Sequence, residues 1–134
     1  MHAIPQRCAH RPLAGGLVVP YVTLIHDGHA AFGVLDADKT INAFRRRLCQ
    51  ICEHPLDERC FLLVRPADVV KGCSPEPALH PECLPYTAEH CPMLIPRRFA
   101  ISEALIRRNP RAKGRSAQDS ALGSGTWARF AGRC

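Results

Sequence analysis

No run of the 134 residues approaches the ~20 apolar positions that a membrane-spanning helix requires, so no membrane partner is expected. No secretory leader is expected either. It would need a basic start, an apolar run and a small-residue cleavage site, and Pro5, Pro12, Gly15, Gly16 and Pro20 interrupt the only candidate stretch. A reducing cytoplasm is therefore the expected compartment. No glycine loop cradles phosphate either, because Gly15-Gly16 runs into a β-like segment with no Lys-Ser or Lys-Thr after it. Histidine is scarce where a treble-clef nuclease of the histidine and asparagine type would need it. Only His54 lies between Cys52 and His80, which leaves no pair to act as base and as holder of a catalytic metal. The carboxylates Asp57, Glu58, Glu76, Glu82 and Glu89 are scattered and read as solvated surface. No catalytic residue and no small-molecule substrate is expected.

Cysteine, by contrast, is abundant: eight in so short a chain, at Cys8, Cys49, Cys52, Cys60, Cys73, Cys83, Cys91 and Cys134. In a reducing compartment, paired cysteines point to metal rather than to disulfides. Cys49 and Cys52 form a C-x2-C pair, whose two thiolates converge from one tight turn. His80 and Cys83 form an H-x2-C pair, and if residues 80–83 open a helix, the i,i+3 spacing places both donors on one face. Tetrahedral zinc needs four such donors at about 2.0–2.3 Å. One zinc ion held by Cys49, Cys52, His80 and Cys83 is the expectation, and four protein ligands close the shell against water, so its role is structural. Twenty-seven residues separate Cys52 from His80, enough for short strands to leave and return. Pair, hairpin and pair at a helix start is the order of a treble clef. His90 and Cys91 compete for the fourth position. Cys60, ahead of an apolar strand, reads as a small buried hydrophobe. Cys73 reads as a free thiol in a turn, His54 as a surface residue or a neighbour of the ligands, and Cys8 and Cys134 as binding nothing.

The fold class expected is α+β: a small treble-clef-like zinc-binding domain with an N-terminal β-hairpin and a basic, partly disordered C-terminal tail. Residues 1–19 read as an irregular lead-in and 20–96 as the zinc-binding domain. Within it, PYVTLI at 20–25 and HAAFGVL at 29–35 read as strands around an Asp27-Gly28 turn. Asp36 or Asp38 caps a helix over 39–48, with Ile41, Phe44 and Leu48 on one face and Arg45, Arg46 and Arg47 on the others. A strand follows from Phe61 to Val64. A helix after Cys83 conflicts with Pro85, so it starts late or with a distorted first turn. Residues 97–109 read as a basic helix, centred on FAISEALIRR and stopped by Asn109-Pro110. Residues 110–134 are rich in Gly, Ser and Arg and read as disordered.

Residues 1–96 carry nine basic and ten acidic side chains, whereas 97–134 carry nine basic and two acidic. That excess makes Arg97, Arg98, Arg107, Arg108, Arg111, Lys113 and Arg115 the candidate contacts for DNA or RNA phosphate, with the 45–47 arginines joining if they share a side. The aromatic interleaving of single-strand binders is missing. The competing expectation is a protein partner, met by an apolar surface of Tyr86, Met93, Leu94, Ile95 and Trp127.

PYVTLI at 20–25, FGVLD at 32–36, RRLCQIC at 46–52, FLLVRPADV at 61–69 and EPALHPECLPYTAEHCPM at 76–93 together resemble a group of small actinobacterial and actinophage proteins. The likeness spans most of the chain. It implies a treble-clef-like zinc domain whose ligands match Cys49, Cys52, His80 and Cys83, and a phage or mobile-element origin with a host protein as a reasonable partner. For a phage-encoded chain, the compartment implied is the host cytoplasm. Cys91-Pro92-Met93 recurs in that group without an assigned role, and Pro85 stands where related chains place a helix-compatible residue. The resemblance implies no activity.

Overall fold

The computed structural model describes residues 3–92, together with the backbone of 100–105 and 128–129. The expected lead-in is ordered. A short 3-10 helix, Gln6–Cys8, precedes a small antiparallel hairpin of β1 (Leu13–Ala14) and β2 (Leu17–Val18). Sequence periodicity fails there because the elements are only two or three residues long and are held by side chains elsewhere. Arg7 bonds Asp57 at 2.9 Å, and Arg11 bonds both Glu53 at 3.1 Å and the Val19 carbonyl at 3.3 Å.

The N-terminal hairpin forms as expected from β3 (Thr23–His26) and β4 (His29–Leu35). Its turn residues Asp27 and Gly28 have φ values of 49° and 76°, the doubly left-handed geometry that a two-residue hairpin loop demands and that an Asp-Gly pair tolerates. Helix α1 (Ala37–Arg46) starts two residues earlier than its apolar spacing suggested, since Asp36 rather than Asp38 accepts the Lys39 N–H, at 3.0 Å. Ala43 and Leu48 are buried with Tyr21 and Val22, while Arg45, Arg46 and Arg47 face solvent.

Strand β5 (Arg59–Val64) is central because both of its faces are covered. Cys60, Leu62 and Val64 pack with Ala78 on one side, and Leu63 and Phe61 pack on the other among Cys8, Val18, Ile51, Leu79, Tyr86 and the candidate ligands Cys49, Cys52 and Cys83. Helix α2 (Pro66–Lys71) follows, and β6 (Cys73–Ser74) pairs with β8 (Ala128–Arg129). Helix α3 (Cys83–His90) begins without delay despite Pro85. Pro85 is its third residue, in the first turn, where the fixed φ of proline suits the helix and no acceptor within Cys83–His90 awaits its N–H.

The basic helix expected over 97–109 is not what forms at its centre. Residues Ala100–Leu105 are strand β7, paired antiparallel with β5 from Arg59↔Leu105 to Val64↔Ala100. A helical spacing of Ile101 and Leu105 was overridden by the open hydrogen-bonding edge of a buried strand, a tertiary effect stronger than local propensity. The other residues of that segment, and most of the 110–134 tail, lie outside the described residues. Within the tail, Ala128 and Arg129 form the two-residue strand β8.

The start of α2 provides a pH-sensitive test of local stability. Buried Asp68 accepts the Arg65 N–H at 2.9 Å and holds the Arg65 guanidinium through two bonds of 2.9 and 3.0 Å. Those bonds outweigh the cost of burial and hold its carboxyl below the ordinary 3.8. A depressed carboxylate stabilises the fold fully above its unfolded value and loses that contribution as pH falls through its folded value. Asp68→Asn should therefore cost about 1–2 kcal/mol at neutral pH. The gap between parent and variant in thermal melts should close as pH drops below about 4.

Candidate metal centre

The knuckle is built by backbone bonds around the first cysteine pair. Cys49 N–H donates to the His54 carbonyl at 2.9 Å, Glu53 N–H to the Cys49 carbonyl at 3.0 Å, and Leu48 bridges Pro55 across the loop. Ile51 N–H points at the Cys49 sulfur at 3.4 Å, the kind of donor that supports a thiolate ligand. To close so tightly the chain turns left-handed at Glu53, whose φ is 69°. An L side chain there is strained by about 1 kcal/mol. Because Glu53→Gly and Glu53→Ala both lose the Arg11 pair, their difference isolates the backbone: the glycine variant should melt as the more stable by about 1 kcal/mol.

The second pair arrives by a different route. Leu79 and Phe61 exchange two backbone bonds, each 2.9 Å, which bring the residue after Leu79 directly against β5 and the knuckle. That residue is His80. Its Nε2–H donates to the Pro55 carbonyl at 2.9 Å, with Asp57 Oδ2 3.8 Å away, so Nδ1 is the nitrogen left to bind. Cys83 N–H and Leu84 N–H both bond the His80 carbonyl, locking histidine and helix start together.

The ligand atoms of Cys49, Cys52, His80 and Cys83 all lie within 4.8 Å of one another, and all four residues are buried. Cys52 Sγ and His80 Nδ1 are 3.3 Å apart. Two donors with bonds of about 2.3 and 2.0 Å to one tetrahedral ion sit roughly 3.5 Å apart. The four residues thus form a cluster able to hold one metal ion in a structural role, and three sulfurs with one imidazole are a zinc donor set. The same proximity governs their protons. At His80 burial works against the imidazolium, but hydrogen bonds to Cys49 and Cys52 overcome it and push its pKa up to about 10. At Cys49 burial opposes ionisation, yet bonds from Cys52, Cys83 and His80 hold the thiol far below its usual value; Cys83, beside Cys49, Cys52 and Cys8, is pushed up instead. A divalent cation would replace these shared protons.

Other expected positions fall elsewhere. His90 and Cys91, the competitors for the fourth ligand, lie at the far end of α3, about 10 Å along the helix from Cys83. They line a small apolar pocket with Leu17, Val18, Ile51 and Tyr86. Cys60 is a buried core residue, as expected. Cys73 begins β6 and is only partly buried. His54 packs against His10, ring centroids 4.7 Å apart and planes tilted by 45°. Tyr86 does not offer a contact surface: it is buried in the core with its hydroxyl accepting the Val18 N–H at 3.2 Å. Its partners Met93, Leu94, Ile95 and Trp127 lie outside the described residues, as do Arg97, Arg98, Arg107, Arg108, Arg111, Lys113 and Arg115. Cys8, expected to bind nothing, is buried with its sulfur 4.0 Å from that of Cys83. Only its distance in sequence hid it, since a lone cysteine 41 residues before the knuckle has no spacing to read.

No family, curated protein or solved structure matches this chain.

Proposed function

We propose that the protein is a non-enzymatic adaptor or regulatory module of phage or mobile-element type, folded around one structural zinc ion in a treble-clef arrangement and contacting nucleic-acid phosphate. The knuckle before β5, the returning Leu79 segment and α3 starting at Cys83 support the treble clef, with α2 inserted in its hairpin. The observation that carries the structural role of the metal is the closed set of four buried protein donors, which leaves no position for a reacting water. The phosphate contact rests on the exposed Arg45, Arg46 and Arg47 at the end of α1 and on the basic excess of residues 97–134.

Binding to a random-sequence DNA or RNA oligonucleotide, measured against salt, tests this reading. Affinity should fall steeply between low and moderate salt, and replacing Arg45, Arg46 and Arg47 by alanine should flatten the slope by roughly one for each phosphate contact removed. Affinity that is absent at low salt removes the nucleic-acid reading. A host-protein partner is the second reading, favoured by exposed Val69 and Val70 on α2. Binding by that route would persist at high salt.

A further inference from the structure

We propose that Cys8 is a fifth donor of the metal centre, a thiolate that takes the fourth coordination position when Cys83 leaves the shell. The inference rests on reading the four-residue cluster as a zinc site. Two thiolates bound to one tetrahedral ion at about 2.3 Å lie roughly 3.8 Å apart. Cys8 and Cys83 are 4.0 Å apart, a separation of ligand to ligand size. Cys8 is not among the four donors that are all mutually close, so in the resting shell it stands beside Cys83, the two sulfurs within reach of an S–H···S contact.

Its placement is fixed from several directions. The 3-10 turn is closed by Cys8 N–H on the Pro5 carbonyl at 2.8 Å and by Arg11 N–H on the Cys8 carbonyl at 2.9 Å. Arg7 and Arg11, on either side, are tied to Asp57 and Glu53, both in the loop that follows Cys52. The N-terminal segment is thereby strapped across the centre with Cys8 inward and 1% exposed. Cys60 is equally buried but belongs to a separate apolar cluster with Leu62, Val64 and Ala78. Exchange of Cys83 for Cys8 keeps three thiolates and one imidazole, so the charge and softness of the site are conserved. Truncating Cys83 opens the space between Cys8 and the remaining donors, and a shift smaller than the present 4.0 Å brings the sulfur in.

The test is native mass spectrometry of the full chain, prepared with zinc under reducing conditions, for the parent, Cys8→Ala, Cys83→Ala and the double variant. One zinc is expected in each of the first three and none in the fourth, with zinc affinity of Cys83→Ala about 10–100-fold below the parent. Alkylation gives a second readout: in Cys83→Ala, Cys8 should resist iodoacetamide until a chelator is added. A zinc-free or unfolded Cys83→Ala chain beside a loaded parent overturns the role of Cys8 alone. Equal zinc in Cys83→Ala and the double variant also overturns it. A parent that holds no zinc removes the centre itself, and with it both readings.

Discussion

Stripping the metal with a chelator should unfold the whole of the cysteine-rich domain, with loss of far-ultraviolet circular dichroism and of any cooperative thermal transition. The four donors do more than hold an ion. Cys49, Cys52 and Cys83 are core residues, packed with Ile51, Leu63, Leu79 and Tyr86, and the regular elements around them are short. Four two-stranded sheets and three α-helices of ten residues or fewer supply little cooperative structure of their own among the described residues. Structural zinc contributes apparent binding free energy of about 10–16 kcal/mol at neutral pH. Domains of this size are stable by about 5–15 kcal/mol in total. The metal is therefore comparable to the entire margin. Restoring zinc should restore the melt. A chain that keeps its transition after complete chelation would mean that packing alone holds the fold.

Leu79→Ala should be the most damaging substitution that leaves every candidate ligand intact, costing about 2–5 kcal/mol in chemical denaturation of the zinc-loaded chain. Leu79 is fully buried, and its neighbours on the knuckle side have no slack: Cys49, Cys52 and Cys83 are each fully buried too. The cavity would open between β5 and the centre, next to the two backbone bonds by which Leu79 and Phe61 deliver His80. Zinc affinity should fall together with stability, because His80 then loses the support that aims Nδ1 at the other donors. By comparison, Val70→Ala on the exposed side of α2, where the side chain is 89% exposed, should change stability by less than about 0.5 kcal/mol.

The parts of this structure that could be read from the sequence are those where chemistry or backbone stereochemistry is decided within a few residues. The C-x2-C and H-x2-C spacings brought out four residues that do meet in space, because each pair is a local turn whose donors point the same way. Asp27-Gly28 marked its hairpin because only such residues accept two positive φ values in succession. Features set by distant partners were illegible. Ala100–Leu105 carries helical spacing and yet pairs with β5, whose free edge lies some forty residues earlier. Tyr86 looked available for a partner but is occupied by the Val18 N–H, far away in sequence. Pro85 does not delay α3, because the helix begins at Cys83 and leaves the proline in its first turn. Cys8 joined the site through Arg7 and Arg11, whose ion-pair partners no periodicity announces.

Metal content per chain tests the central claim most directly. Native mass spectrometry of the protein from a reducing cytoplasm, beside Cys52→Ala, should give one zinc ion per parent chain and a variant that is metal-free and unfolded. A parent that is compact, folded and free of metal would contradict the account and leave its buried thiols as core packing.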